Sequence, residues 1–428
     1  MKQYKQLYSI FTNGIIFLLV LLSACSKDKI DNPPATLFTL IDNKHSNIHF
    51  INAVKEDLYF NFINYSYIYN GAGVAVGDVN NDGLEDLYFT SNQNSNKLYL
   101  NKGDFEFQDI TKEAGVVDEN GWTTGVSLID INNDGWLDMY VCKSGALNSQ
   151  DLRKNKLFIN NKDNTFKEMA KEFGLDHSGF SVQAYFFDYD GDEDLDMYLV
   201  NHRADFRNNT TIDMKIQETK EPFFSDQLFR NEKGKFINVT KEAGLENKAW
   251  GLSASIGDFN NDDIPDIYVA NDFGEFIKPN QLYENILIGT TNTYDEIAEE
   301  VEMDLGMYGM GIAVGDVDRD LDLDYYVTNF GKNAFLLNEG DYFTNIADVS
   351  GAGDEWIFED SLLAIGWGTS FLDVDNDGVC SDEDCDDNDP TVGSNANDMD
   401  CDGVPTDEDC DDNDQTGGSN AKERDWNG

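Results

Sequence analysis

Short apolar runs alternate with short polar turns from residue 45 to residue 379, and the order of the runs repeats. In the first unit, a run of small and apolar residues (Gly73–Gly77) precedes an acidic loop, and a bulkier run (Leu87–Phe89) follows it. A third run, Leu98–Asn101, ends in Asn, and a fourth, Phe107–Thr111, opens with an aromatic residue. Runs of this length between turn residues are typical of β-strands, so the pattern predicts four short strands per unit.

The same order of runs returns further along the chain. The first run recurs at Gly125–Ile129, Leu252–Ile256 and Gly311–Gly315, the third at Leu157–Asn160, Leu228–Asn231, Leu282–Asn285 and Phe335–Asn338, and the fourth at Phe166–Ala170, Phe236–Thr240 and Phe343–Ala347. Repeated four-stranded units predict an all-β fold, and specifically a β-propeller, because radial repetition protects the sheet edges. An open β-solenoid is the alternative.

The acidic loop between the first and second strands carries the motif Asp-x-(Asn/Asp)-x-Asp-x-x-x-Asp in five full copies. They are Asp78/Asn80/Asp82/Asp86, Asp130/Asn132/Asp134/Asp138, Asp188/Asp190/Asp192/Asp196, Asp258/Asn260/Asp262/Asp266 and Asp316/Asp318/Asp320/Asp324. A sixth copy opens at Asp373/Asp375/Asp377 and then changes. The first Asp residues are 52, 58, 70, 58 and 57 positions apart, so the motif follows the repeat of the strands.

This spacing predicts calcium sites. Calcium takes six to eight oxygen ligands, and short carboxylate and amide side chains at alternate positions of a tight loop converge on one ion. Positions 1, 3, 5 and 9 would supply side-chain oxygens and position 7 a carbonyl oxygen. The loop is not an EF-hand, which needs a bidentate Glu at position 12, because Phe89 occupies that position in the first copy. Solvated acidic turns without metal are the alternative.

The sixth position of each loop should adopt a positive φ, which favours Gly. Gly83 and Gly135 meet this requirement and Asp263 tolerates it. Glu193 and Leu321 would each be strained by about 1 kcal/mol. The first two loops are therefore predicted to be the strongest metal sites.

The segments Tyr69–Asp78 and Asp130–Asp138 resemble the FG-GAP/VCBS repeats of bacterial surface proteins, in particular the group related to cartilage acidic protein. The resemblance covers roughly residues 45–379 and implies an integrin-α-like propeller, here placed at residues 45–372, with calcium in the loops between first and second strands. The sixth unit has only a first strand, Gly366–Leu372. The stretch Ile48–Tyr69 could supply missing outer strands, which leaves six and seven blades open.

Both ends of the chain differ from the repeats. An apolar stretch from Ile15 to Leu22 follows two Lys residues and is too short for a permanent membrane span. Residues 1–24 therefore predict a secretory signal peptide. Leu22–Cys25 resembles a bacterial lipobox, which implies lipidation of Cys25, a tether at residues 25–44 and an outer-membrane lipoprotein. An ordinary cleaved signal is the alternative. The cell surface is the favoured location, and the periplasmic face is the alternative.

Residues 373–428 form a different, Asp-rich domain. Residues 373–414 hold sixteen Asp and two Glu without Lys or Arg, so they cannot form a hydrophobic core. The opening Asp373/Asp375/Asp377 reappears as Asp398/Asp400/Asp402. This pattern resembles thrombospondin type 3 repeats and implies an irregular calcium-binding tail, with a disordered acidic tail as the alternative. Four cysteines lie in this tail, and their pairing is open: Cys380, Cys385, Cys401 and Cys410.

The net charge is −52, which excludes binding to nucleic-acid backbones because phosphate contacts need Lys and Arg. The remaining Cys142 is expected to be a buried apolar residue. The longest irregular insertion, Asn201–Asp226, carries four cationic residues in an acidic protein and is a candidate partner surface: Arg203, Arg207, Lys215 and Lys220.

Three classes of function remain open. The first is a calcium-binding, lipid-anchored surface or adhesion module for a protein or glycan, with no enzymatic activity. The second is a calcium-dependent polysaccharide lyase or hydrolase, for which His202 beside Arg203 is the only suggestive pair among His45, His49, His177 and His202. The third is a structural component of an envelope complex. The sequence favours the first, because no catalytic set stands out.

Overall fold

The computed structural model describes residues 38–372, apart from residues 59, 120, 146–148, 203–223, 246, 248, 289–290 and 354–364. The chain divides into two units, residues 1–41 and residues 42–428, and all of the described helices and strands lie in the second. The predicted signal peptide, Cys25 and the Asp-rich tail fall outside the described residues. Within them, no helix is long and apolar enough to cross a membrane.

Within the described residues, the strands form five antiparallel sheets of four strands, each in chain order. Sheet 1 contains β1 (Val74–Gly77), β2 (Asp86–Phe89), β3 (Lys97–Asn101) and β4 (Phe107–Asp109); sheet 2 contains β5 (Trp122–Ile129), β6 (Asp138–Ser144), β7 (Lys156–Asn160) and β8 (Phe166–Glu168). Sheet 3 contains β9 (Ser181–Phe187), β10 (Asp196–Asn201), β11 (Gln227–Asn231) and β12 (Phe236–Asn238). Sheet 4 contains β13 (Gly251–Gly257), β14 (Asp266–Asn271), β15 (Gln281–Ile288) and β16 (Thr291–Glu296); sheet 5 contains β17 (Ile312–Gly315), β18 (Asp324–Val327), β19 (Ala334–Asn338) and β20 (Phe343–Asn345). The all-β prediction and the four-strand unit are confirmed.

The fourth strands end earlier than the sequence predicts, and side chains explain why. In sheet 1, β4 stops at Asp109, whose Oδ1 accepts hydrogen bonds from the backbone N–H and the hydroxyl of Thr111. Thr111 Oγ1 in turn accepts a hydrogen bond from Leu98 N at 3.0 Å. A side chain that bonds to nearby backbone competes with the sheet ladder, so the strand ends there.

The described part of the stretch from Ile48 to Tyr69 contains no strand, so the expectation that it adds outer strands is wrong. Its aromatic side chains pack together with Trp122 instead. The ring centroid of Trp122 lies 5.1 Å from that of Phe60 and 5.6 Å from that of Tyr65. The described helices are short: Asn43–Ser46 and Ala170–Phe173 are α-helical, and Ser66–Tyr69 and Asp151–Arg153 are 3-10 helices.

Apolar clusters fill the spaces between consecutive sheets. They join Tyr88 with Met139 between sheets 1 and 2, Leu157 with Met197 between sheets 2 and 3, Tyr198 with Ile267 between sheets 3 and 4, and Tyr268 with Val327 between sheets 4 and 5. Cys142 is fully buried between sheets 2 and 3, as expected of a small apolar residue. Burial of this kind stabilises the fold by roughly 25 cal/mol for each Å² of apolar surface removed from water.

The first strands lie side by side, with β1 against β5, β5 against β9, β9 against β13 and β13 against β17. Thr90 Oγ1 of sheet 1 donates to the carbonyl oxygen of Thr124 in β5, at 2.5 Å. Thr328 Oγ1 of sheet 5 donates in the same way to the carbonyl oxygen of Trp367, at 2.7 Å. Residues 366–372 therefore lie beside β17 as β5 lies beside β1.

Candidate metal-binding loops and the aromatic cavity

The first Asp of each acidic loop sets the turn. Asp78 Oδ1 accepts hydrogen bonds from the backbone N–H groups of Asn80 and Asp82, and Asp78 Oδ2 accepts one from Gly83 N at 2.7 Å. In the other loops, Asp130 accepts from Asp134 and Gly135, Asp188 from Asp192 and Glu193, Asp258 from Asp262 and Asp263, and Asp316 from Asp320 and Leu321. An Asp side chain that binds backbone N–H groups fixes a local turn, so all five loops share one geometry.

Two residues with positive φ bend each loop. The sixth positions have φ of 85°, 81°, 71°, 66° and 78° at Gly83, Gly135, Glu193, Asp263 and Leu321. All five loops therefore adopt the angle that the sequence analysis required, and Leu321 and Glu193 carry the expected strain. The fourth positions also have positive φ: Asn81, Asn133, Gly191, Asn261 and Arg319. This second bend was not predicted from the sequence, although Asn, which tolerates a positive φ, occupies the position in three of the five copies.

The ninth-position Asp residues are buried at the start of the second strands. Asp266 Oδ1 accepts a hydrogen bond from Asn285 N at 2.8 Å and its Oδ2 accepts one from Phe259 N at 3.2 Å. Burial raises the pKa of these carboxyls to about 6 for Asp86 and Asp324, and to about 7 for Asp138, Asp196 and Asp266, partly offset by the backbone donors. In each sheet the backbone N–H of an Asn in the third strand donates to the ninth-position Asp and so supports the last oxygen donor of the motif.

Carboxylate oxygens converge in two of the loops. Positions 1, 3 and 9 lie within 4.8 Å of one another at Asp188/Asp190/Asp196 and at Asp316/Asp318/Asp324. Burial, followed by repulsion from the neighbouring carboxylates, raises the pKa of Asp190. Asp190 Oδ1 is buried and has no hydrogen-bond partner. Facing carboxylates with a buried oxygen that lacks a donor fit a hard divalent cation.

The first, second and fourth loops carry Asn80, Asn132 and Asn260 at position 3, so an amide oxygen would replace one carboxylate there. Loops of consecutive sheets also touch. Asn81 Nδ2 donates to the carbonyl oxygen of Gly135 at 2.9 Å, and Asn261 Nδ2 donates to Asp322 Oδ1 at 2.5 Å. Each of these bonds holds two acidic loops together.

A cavity of about 400 Å³ opens at the other ends of the first strands. Each of the five sheets contributes residues at or near the start of its first strand, and Trp367 and Gly368 complete the wall. The strand contributions are Gly73, Thr124 and Gly125, Val182 and Gln183, Leu252 and Ser253, and Gly311. Aromatic residues Tyr65, Tyr67 and Trp122 line it as well. We call this space the aromatic cavity.

His202 lies in the wall of the aromatic cavity and is 4% exposed. Its Nδ1 lies 3.2 Å from the carbonyl oxygen of Gly251, which can only accept, so Nδ1 carries the proton. Burial lowers the pKa of His202 to about 4, so the ring is neutral at pH 7. The adjacent Arg203, with which His202 formed the candidate catalytic pair, lies outside the described residues.

Several predicted site residues fall outside the described part of the chain. They are Cys25, the sixth-copy residues Asp373, Asp375 and Asp377, and the tail residues Asp398, Asp400 and Asp402. The cationic residues of the long insertion do too: Arg203, Arg207, Lys215 and Lys220. Among the predicted metal ligands, the structure therefore describes those of the five full loops.

Residues 54–141 match the family model described as FG-GAP-like repeat, a range that includes the first two acidic loops. The chain is 31% identical over 207 residues, 47% of its length, to cartilage acidic protein 1 of Xenopus tropicalis. It is 24% identical over 204 residues to cartilage acidic protein 1 of Homo sapiens. The chain spans less than a third of the length of these curated relatives, 29% and 28%.

Two solved structures are similar to this chain at low identity. An Agrocybe aegerita lectin, described as recognising non-reducing terminal N-acetylglucosamine, aligns at 15% identity with a TM-score of 0.38 over 69% of this chain and 70% of its own. The V. cholerae biofilm matrix protein Bap1 aligns at 13% identity with a TM-score of 0.34 over 64% and 38% of the two chains. By its sequence, the chain thus contains an FG-GAP-like repeat region and is similar to cartilage acidic protein 1 over about half of its length.

Proposed function

We propose that this chain is a calcium-stabilised binding module, tethered to the outer membrane by a lipid on Cys25 and displayed at the cell surface, that recognises a protein or a glycan. The observation that carries the proposal is the shared geometry of the five acidic loops, with converging carboxylates in the third and fifth. Metal sites repeated once per sheet suit a scaffold, because they fix loops without supplying a reactive group. The FG-GAP-like region and the similarity to cartilage acidic protein 1 support a binding role.

Calcium suits these loops chemically. Each would hold the ion through side-chain oxygens of positions 1, 3, 5 and 9, all of which are Asp or Asn. Bound calcium supplies a positive charge that offsets the mutual repulsion of these carboxylates. In a chain of net charge −52, several such ions would also reduce the repulsion that opposes a compact state. Extracellular calcium modules bind at about 10⁻⁴–10⁻³ M, which suits the proposed location.

The proposed architecture is a propeller of six blades. The support is that residues 366–372 lie beside β17 and that Trp367 and Gly368 join the five first strands around the aromatic cavity. The Asp-rich tail is proposed to bind further calcium ions and to follow the propeller as a separate domain. The lipid anchor and the tail rest on sequence resemblance alone.

The test is thermal unfolding of the full chain in a chelator and across a calcium titration, with magnesium as the control. A site at a hundred times its dissociation constant stabilises the folded state by about 2.7 kcal/mol, so several sites should raise the Tm by many degrees. An equal response to magnesium, or no response, would remove calcium from the proposal.

Charge-matched variants separate bound metal from general screening. The pair Asp188→Asn with Asp190→Asn removes two carboxylates from the third loop, and Asp295→Asn with Asp341→Asn removes two exposed carboxylates outside the loops. We expect only the loop pair to reduce the number of calcium ions bound per chain, measured by equilibrium dialysis. Equal losses in both pairs would indicate diffuse screening instead of discrete sites.

A further inference from the structure

We infer that the aromatic cavity binds an uncharged sugar residue. The inference rests on the proposed binding function and names the class of ligand for it. Its site lies at the ends of the first strands away from the acidic loops, so it depends on different residues. The volume of about 400 Å³ falls within the range of roughly 300–1,000 Å³ that is usual for small-molecule sites.

The described part of the cavity wall contains no ionised side chain. Among the described residues that line it, none is Asp, Glu, Lys or Arg, although the whole chain has a net charge of −52. His202 is neutral at pH 7 because it is buried. A charged ligand would lose its hydration here without meeting a counter-ion, which is strongly unfavourable. The occupant of such a site is therefore uncharged.

Two polar atoms in the wall lack partners. His202 Nε2 and Ser253 Oγ are both buried and make no hydrogen bond. Because Nδ1 of His202 is committed to the carbonyl oxygen of Gly251, its Nε2 is an acceptor and requires a donor. A buried polar atom without a partner destabilises a protein by about 1–3 kcal/mol, so a ligand that bonds to it gains affinity. A ligand hydroxyl is a donor of the required kind.

Aromatic rings supply part of the apolar surface of the cavity. Trp122 and Tyr65 are 4% exposed, and Trp367 is 41% exposed where the cavity meets solvent. Aromatic side chains present a large apolar face to a ligand. A sugar ring combines an apolar C–H face with hydroxyl groups at its edge, so it can satisfy the rings and the two polar atoms together. A purely apolar ligand would leave His202 Nε2 without a partner.

The experiment is a binding titration on the full chain in the presence of calcium, with Trp fluorescence and calorimetry as the two readouts. The probes are the methyl glycosides of glucose, galactose, mannose and N-acetylglucosamine, with glucuronic acid and glucosamine as charged counterparts. We expect at least one neutral glycoside to bind saturably and better than both charged sugars. Failure of every neutral glycoside, or preference for a charged sugar, would overturn the inference, while the calcium titration would still report separately on the loops.

Two histidines, the buried His202 and the half-buried His177, provide a matched pair of variants. His177 resembles His202 in that burial lowers its pKa to about 4 and its Nε2 has no partner, but it does not line the cavity. We expect His202→Phe to weaken sugar binding about five- to tenfold and His177→Phe to leave it unchanged. Ser253→Ala, a smaller change, should weaken binding severalfold and guards against a folding defect in the first variant. Unchanged affinity in both cavity variants would overturn the site.

Discussion

The two ends of the first strands carry opposite chemistry. At one end, β5 runs into the loop that starts at Asp130, which carries the carboxylates of Asp130, Asp134 and Asp138. At the other end, Thr124 and Gly125 face a cavity with no ionised side chain among its described lining residues. Strand β5 thus has a predicted metal site at one end and the aromatic cavity at the other. The two sites are formed by different kinds of contact.

The turn of each acidic loop is formed by residues that are close in the sequence, whereas the cavity is formed by residues that are far apart in it. The bonds that set the turn of the first loop join residues no more than five positions apart, from Asp78 to Gly83. By contrast, the cavity brings together Tyr65, His202 and Trp367, which are separated by well over a hundred residues along the chain. A turn that is held by short-range hydrogen bonds can recur in every unit, whereas the cavity forms only when all five sheets have assembled.

Two glycines of sheet 2 test this difference with the largest expected effect. A Cβ at Gly125, in the cavity wall, would lie 2.4 Å from the carbonyl oxygen of Val182, whereas a Cβ at Gly135, in the loop, meets nothing within 4 Å. We expect Gly125→Ala to destabilise the protein by about 3 kcal/mol through crowding. Gly135→Ala should destabilise it by about 1 kcal/mol, through its positive φ alone.

Urea unfolding of both variants in a chelator measures these values without any contribution from metal. Equal losses of unfolding free energy would mean that the first strands can move apart to make room, contrary to their close contact. Glycine at residue 125 would then not be required for assembly.

The contact of residues 366–372 with β17 is tested by Phe371→Ala. The ring of Phe371 lies 5.9 Å from that of Phe335 and packs on Gly315. Loss of this partly buried ring should lower the unfolding free energy by about 2 kcal/mol. The neighbouring Leu372 is 54% exposed, so Leu372→Ala should change it by less than about 0.5 kcal/mol. If both variants match the unsubstituted protein, this segment does not complete the set of first strands.

Asp226 gives sheet 3 a buried contact between a Tyr hydroxyl and a carboxyl group, and the equivalent contact in the other four sheets cannot titrate in this pH range. A Tyr of the second strand is paired with a buried Asn in the other four sheets: Tyr88 with Asn96, Tyr140 with Asn155, Tyr268 with Asn280, and Tyr326 with Asn333. In sheet 3, Tyr198 donates to Asp226 Oδ2 at 2.9 Å. Burial raises the pKa of Asp226 from 3.8 to about 6.

The folded state therefore holds this proton more tightly than the unfolded chain does. The stability that it contributes is complete below about pH 4 and is lost as the pH rises through about 6. We expect Asp226→Asn to be more stable than the unsubstituted protein at pH 7, by on the order of 2 kcal/mol, and equal to it near pH 4. Urea unfolding at several pH values measures the difference. Asn155→Asp should create the opposite dependence in sheet 2 and destabilise the protein at pH 7 but not near pH 4. For either variant, a stability difference from the unsubstituted protein that does not change with pH would contradict this interpretation.

The smallest expected effect concerns the strain at Leu321. This residue has a φ of 78° and is 81% exposed, so its side chain contributes little packing. Leu321→Gly should relieve the left-handed strain and stabilise the protein by about 0.5–1 kcal/mol, less the added entropy of the unfolded chain. The exposed Leu84, whose φ is not positive, provides the control: Leu84→Gly should destabilise. Stabilisation by both variants would point to the loss of exposed apolar surface instead of strain.

Most of the fold could be predicted from the sequence because its signals are local and repeated. The terminal Asn of each third run, such as Asn285, and the acidic loop before each second strand recur at fixed positions. The fourth strand of sheet 4, Thr291–Glu296, was not foreseen, since no aromatic residue opens it. The stretch before Tyr69 was misjudged because its aromatic residues suggested strands, while their partners lie in other sheets.

The aromatic cavity could not be predicted for the same reason. Its unpaired His202 follows a second strand, and nothing near it in the sequence marks it as part of a cavity wall. Ser253 sits in an ordinary first strand. These side chains come together only when distant units pack against each other, and a short sequence pattern does not predict such packing.

Three Asn residues of the third strands have a consequence for how the chain assembles. Asn160 Nδ2 donates to the carbonyl oxygen of Val79, Asn285 Nδ2 to that of Tyr189, and Asn338 Nδ2 to that of Phe259. Each of these acceptors belongs to the preceding sheet. When the chain emerges from its amino end during synthesis or export, the acceptor of each of these three bonds is therefore made before its donor, so these contacts between neighbouring sheets can form in order, one unit after another.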